Sequence, residues 1–237
     1  MHALSALVCV LQCCGYVAIS TFVEYRWYHR RTGSVGAWKT QPGKMHFVGE
    51  DARGRSKGYR WGLPALDLIY RRSHASSNQK RHESHAWFAT CNLVTSSLFA
   101  GATCEAYLSS WRSTLVNDDA ENMDVFKIVI GLALAVTWQS VLEYYWHRAM
   151  HLPAVYAKLH KFHHHYKAPQ PWDDLFIHPL ESFGYCLILY SPAFCIPNLP
   201  VASFLSYMSI MGVCGILDHC GVRIQVSLLF YSCIMRS

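Results

Sequence analysis

Residues 125–151 read VFKIVIGLALAVTWQSVLEYYWHRAMH, an apolar run that carries one lysine near its start and then no charge until Glu143. Its part from Val125 to Tyr145 is close to the roughly 20 residues a helix needs to cross the hydrocarbon core of a bilayer. The run ends on Glu143, His147 and His151, four residues apart, and so predicts a spanning helix with a polar stripe at one end. Imidazole is the commonest neutral metal ligand. A second group, His160-Lys-Phe-His163-His164, follows within one short connection. Pro153 suits the first turn of a new helix, on which His160, His163 and His164 line one face at three-and-four spacing. The stretch 143–164 therefore predicts a metal site at the end of a membrane span.

Outward from this stretch the composition agrees with lipid as the solvent. Of the 237 residues 52% are hydrophobic and only 15% charged, richer in apolar groups than a soluble domain. Ala3–Val23 and Trp87–Ser110 are two further spans by length. Phe183 to Leu217 is apolar but broken by Pro192, Pro197 and Pro200, and reads as a helical hairpin turning at Pro197-Asn-Leu-Pro200, with a first arm short enough to be re-entrant. The fold class expected is all-α: a multi-span helical membrane protein of three spans plus a proline-broken hairpin. The expected divisions are an N-terminal anchor over 1–23, a basic loop over 24–86, a second span and its connector over 87–124, and a histidine-bearing domain over 125–237.

Ala3–Val23 is read as a retained anchor, because no basic residue precedes it and Arg26, Arg30 and Arg31 follow it. Between Glu24 and His85 thirteen Lys or Arg stand against five acids, which places this loop in the cytosol. The connector 111–124 holds Arg112 against Asp118, Asp119, Glu121 and Asp124 and fits the lumenal side. The third span then returns His147 and His151 to the cytosolic face, where Asp218-His219 also arrives. The basic loop reads as a solvated linker or a patch on anionic head groups. No nucleic-acid module accompanies it, so nucleic acid is not an expected partner. The ten cysteines form no C-x-x-C pair and read as small apolar residues in lipid, Cys13-Cys14 being a site for acylation.

Glu143 has three readings: a ligand, an acceptor for the free N–H of a ligand imidazole, or a partner of Arg148. The acceptor role is preferred, since ligating histidines donate their second nitrogen to a carboxylate or carbonyl. His178 in His178-Pro-Leu-Glu181 and His219 in Asp218-His-Cys-Gly221 each stand alone in sequence but lie at expected cytosolic ends, and both are candidate ligands. His165 is expected to face solvent, as one residue turns about 100° around a helix. Trp172-Asp-Asp174 reads as a loop that caps a helix rather than an acid–base pair.

Taken in order, Glu143-Tyr-Tyr-Trp-His-Arg-Ala-Met-His151, Leu159-His-Lys-Phe-His-His164 with Pro169, His178-Pro-Leu-Glu181 and Asp218-His-Cys-Gly221 resemble the fatty acid hydroxylase and sterol desaturase superfamily across about Val125 to Val222. The resemblance implies a multi-pass enzyme of the endoplasmic reticulum membrane. It also implies two iron ions held by His147, His151, His160, His163 and His164, with His178 and His219 as additions. By the same resemblance, dioxygen is activated to hydroxylate or desaturate a lipid, with electrons from NAD(P)H through cytochrome b5; the substrate leans to a sterol. The family carries a further H-x-x-H-H group past the position of Asp218-His219, whereas 221–237 holds no histidine. A truncated or alternatively spliced product, with an incompletely filled metal site, is therefore expected. The competing expectation is a non-catalytic membrane protein that keeps a partial site, for example for zinc. A histidine-rich transporter is a third reading, disfavoured because no histidine lies within the first two spans.

Overall fold

The computed structural model describes residues 2–29, 40, 80–118, 124–165 and 171–223. The basic stretch assigned to the cytosol and the tail beyond Arg223 fall largely outside the described residues, as does the His165 side chain. The described elements are α1 (Ala3–Val23), continued by a π-helical turn Glu24–His29, then α2 (Lys80–Leu108), a two-residue strand β1 (Leu115–Val116) and α3 (Val125–Met150). There follow the single turn α4 (Pro153–Tyr156), a 3-10 turn His160–His165 and a 3-10 turn Asp173–Leu175. The chain closes with α5 (Pro179–Tyr190), α6 (Pro192–Cys195), β2 (Leu199–Pro200) and α7 (Val201–His219).

Among the described residues three segments are long and apolar enough to cross a bilayer: Ala3–Trp27, Val125–Met150 and Val201–His219. This is the make-up of a multi-pass membrane protein. The stretch expected as a second span does form a helix, α2. It carries Asn92, Ser97, Thr103 and Glu105 along its length and is not among those three. Its polar groups are instead spent inside the bundle: Ser97 and Thr103 return hydrogen bonds to the carbonyls of Leu93 and Phe99, and Glu105 accepts from the Ser5 hydroxyl at 2.7 Å.

The prolines set the hairpin. Pro179 and Pro192 open α5 and α6, where a missing N–H costs nothing, and Asn198 takes a left-handed φ of 54° at the turn. With 12 residues α5 is about 18 Å long, too short to cross, while α7 crosses alone. The core lies where α2, α3, α5 and α7 meet, around Ala135, Cys186, Tyr190, Ala193, Phe204 and Tyr207. Outward-facing Val129, Ile130, Leu134, Val141 and Tyr145 of α3 are exposed, the arrangement lipid favours. At the end away from the histidines, β1 pairs in parallel with β2, Leu115 against Leu199, and the Thr114 N–H donates to the Ala193 carbonyl at 2.9 Å.

One glycine fixes how closely α5 approaches α3. A Cβ on Gly184 would stand 2.1 Å from Cζ2 of Trp146, so the indole lies directly on the α5 backbone. That contact brings the next residue, Tyr185, beside His147.

Candidate metal centre

α3 delivers His147 and His151 one turn apart at its last turn, with His151 as the C-cap. The chain then reverses through α4 and the 3-10 turn, which places His160 and His164 against them. One nitrogen from each of these four rings lies within 4.8 Å of the others. His147 Nε2 faces His151 Nε2 at 3.0 Å, and His164 Nε2 faces His160 Nε2 at 3.0 Å. Nitrogens bound to one ion at about 2.1 Å and at right angles lie about 3 Å apart. Two imidazole lone pairs turned on each other repel unless a proton or a cation lies between them, so this donor set fits a metal ion. Imidazole suits iron, zinc, copper and nickel alike.

Second nitrogens are held from behind. His160, fully buried, directs Nδ1 to Glu181 Oε1 at 2.5 Å, and Glu181 is fully buried as well. His147 Nδ1 lies 3.1 Å from the Tyr185 hydroxyl. With the proton on Nδ1, each ring presents its Nε2 lone pair to the common point, the usual division of labour in a ligand histidine. Glu181 comes from the first turn of α5, where the positive end of the helix also favours a carboxylate.

His163 does not join the four. Its Nε2 faces His219 Nε2 at 3.3 Å, and its ring stacks on that of His160 at 5.5 Å between centroids, so the two groups adjoin. His219, the last residue of α7, hydrogen-bonds through Nδ1 to the Gly215 carbonyl at 3.0 Å, and the Asp174 carboxylate lies 3.2 Å from the same nitrogen. Burial, followed by the neighbouring His219, pushes the His163 imidazole down to about 2. His164 is lowered by burial and then by His160 and His151. Both are thus neutral near pH 7, the form with a lone pair to give.

Several expectations change in detail. The second histidine group occupies a 3-10 turn rather than an α-helix. At three residues per turn His160 and His163 eclipse and their rings stack, yet His160 and His164 turn Nε2 to the group of four while His163 turns Nε2 to His219. Glu143 takes a hydrogen bond from the Gln139 amide one turn deeper in α3, and among the described residues the carboxylates that face histidine rings of the two groups are Glu181 and Asp174. A four-residue spacing finds only neighbours on one helix, whereas Glu181 arrives from another. His178 is the N-cap of α5, with Nδ1 accepting the Leu180 N–H at 3.2 Å and its ring beside Phe88 and Phe162; it stands outside both groups. Tyr185 carries no signal in the sequence that marks it for the site. The loop around Trp172-Asp-Asp174 was legible as a loop but gave no sign of its contact with His219.

Residues 132–236 match the family model described as fatty acid hydroxylase. The match runs into the tail, further than the motifs alone carried the resemblance. Human fatty acid hydroxylase domain-containing protein 2 is 30% identical over 38% of this chain and 37% of its own length. Human lathosterol oxidase is 29% identical over 41% and 32% respectively, and a Delta(7)-sterol 5(6)-desaturase of Aspergillus fumigatus is 33% identical over 33% and 23%. The matched stretch thus spans about a third or less of these relatives. No solved structure matches the chain.

Proposed function

We propose that the chain belongs to the fatty acid hydroxylase superfamily, whose family model matches residues 132–236, and that it is a membrane oxidoreductase that hydroxylates or desaturates a lipid. The observation that carries this reading is the convergence of His147, His151, His160 and His164 on one point. We assign a first ion to these four and a second, adjacent ion to His163 and His219, both ions being iron. When bound, iron supplies the activation of dioxygen and the cleavage of a C–H bond, with electrons from NAD(P)H through cytochrome b5.

The side chains of this chain bind, orient and exclude. Glu181, Tyr185 and the Gly215 carbonyl hold the imidazole protons on Nδ1 of His160, His147 and His219, with the Asp174 carboxylate beside the last, so that each Nε2 is free to bind. Trp146, lying on the α5 backbone beside Tyr185, screens that side of the site from water. The exposed apolar faces of α3 and α7 let an apolar substrate approach through the bilayer. A sterol substrate is favoured by the names of two relatives, lathosterol oxidase and Delta(7)-sterol 5(6)-desaturase. The charge bias of 24–86 over 111–124 supports a cytosolic position for the histidines, and the superfamily supports the endoplasmic reticulum.

A second reading is a partial, non-catalytic site holding one ion such as zinc. It is favoured by the unequal grouping, four imidazoles on one side and two on the other. Metal analysis of the purified full chain decides, together with oxygen consumption and lipid analysis in membranes supplied with cytochrome b5 and sterol. Iron at about two per chain with an oxygen-dependent sterol product is expected. Zinc at about one per chain with no lipid oxidation establishes the second reading instead.

A further inference from the structure

Nδ1 of His219 faces two oxygens of different origin, a carbonyl that takes its hydrogen bond and a carboxylate 3.2 Å away. The Gly215 carbonyl belongs to its own helix and lies one turn back, whereas Asp174 reaches it from the turn Asp173–Leu175. Three residues of 3-10 helix do not hold themselves in place, since regular structure this short depends on packing. The turn is instead held by two helices that lie outside residues 132–236. From the end of α1, Glu24 Oε2 accepts the Trp172 indole N–H at 2.7 Å, and the Tyr16 ring meets Trp172 edge-on at 5.9 Å. From α2, the Asn92 amide donates to the carbonyls of Leu175 at 2.9 Å and Ile177 at 2.8 Å.

Glu24 and Asn92 are each 1% exposed and Trp172 is 2% exposed. Burying a carboxylate at the end of a membrane helix is costly, and an apolar pair of similar volume often serves stability as well or better. A buried polar pair is therefore weak evidence for stability and better evidence for fixing one arrangement among several. The arrangement it fixes here is the position of Trp172, two residues from Asp174.

We propose that Glu24 is a positioning residue for His219, acting through Trp172 and Asp174, so that the N-terminal helix sets the geometry of the His163–His219 pair. The part of this inference that concerns metal rests on the assignment of an ion to that pair. The part that concerns the orientation of His219 does not.

The test uses the full chain in detergent and two variants. Glu24→Leu combined with Trp172→Phe removes the carboxylate and the indole donor together, while Glu24→Gln keeps an acceptor oxygen. In metal-free protein, carbethoxylation of His219 relative to His147, read by mass spectrometry, is expected to rise severalfold in the double variant and to stay at the wild-type ratio in Glu24→Gln. In cobalt titrations the second equivalent is expected to bind about tenfold more weakly in the double variant, with the first unchanged. A folded double variant with the wild-type labelling ratio and the wild-type second affinity overturns the proposal. So does a rise shared equally by all the histidines, which reports general loosening. Wild-type protein that takes up no cobalt counts against the metal assignment, and the labelling ratio then still decides the role of Glu24.

Discussion

The four-histidine group and the His163–His219 pair adjoin, yet they are built in opposite ways. The four come from one reversal of the chain, 147 to 164, and their buried member His160 is backed by an equally buried Glu181. The pair joins residues 56 apart in sequence, and its supporting Asp174 is about a quarter exposed, on a turn held by helices from elsewhere. A tight local cluster with a buried acceptor is expected to be rigid and to bind strongly. A pair assembled from distant segments is expected to yield to changes far from it.

The largest effect should follow from His160→Ala. It removes a ligand and leaves the Glu181 carboxylate buried with no imidazole, which costs about 3–5 kcal/mol. The thermal unfolding midpoint in detergent should fall steeply, and the four-histidine group should lose its ion. Retention of wild-type cobalt affinity at the first equivalent would sink the assignment of His160 as a ligand. His219→Ala should act on the other group alone. Its ring is partly exposed and its hydrogen bonds are replaceable by water, so stability should fall by about 0.5–1.5 kcal/mol while the second cobalt equivalent is lost and the first persists. If both equivalents vanish together, the two groups are one cooperative unit and the contrast between them fails. His178→Ala should be the mildest: loss of a helix cap costs about 1 kcal/mol, and metal content should not change. A drop in metal content would return His178 to the ligand set.

How much of this was legible in the sequence follows from the range over which each signal acts. Spacing along one helix found His147 and His151, and a short connection made their meeting with His160 and His164 foreseeable. The same logic pointed to Glu143 and missed Glu181, because periodicity reports what shares a helix and not what another helix brings. His219 was visible only as a lone residue at a helix end, and its partner His163 seemed to belong with His160 and His164. The approach of His219 that draws the His163 Nε2 away from the group of four is a long-range contact with no local signature in the sequence. Apolar length found α1 and α3, and found α7 within the hairpin. In α2 it overlooked how many polar side chains were destined for contacts inside the bundle, such as Asn92 with the carbonyls of the 171–177 loop.

The small pairing of β1 with β2 has a consequence for how the molecule comes together. Thr114 and Ala193 are 79 residues apart, and contacts between distant segments carry a closure entropy that local ones do not. During synthesis β1 emerges well before β2, and it has no strand partner until α3 and α5 are in place. The end of the bundle opposite the histidines is therefore expected to close late, after the first four imidazoles can already meet, so that assembly proceeds from the metal-binding end toward the stitched one.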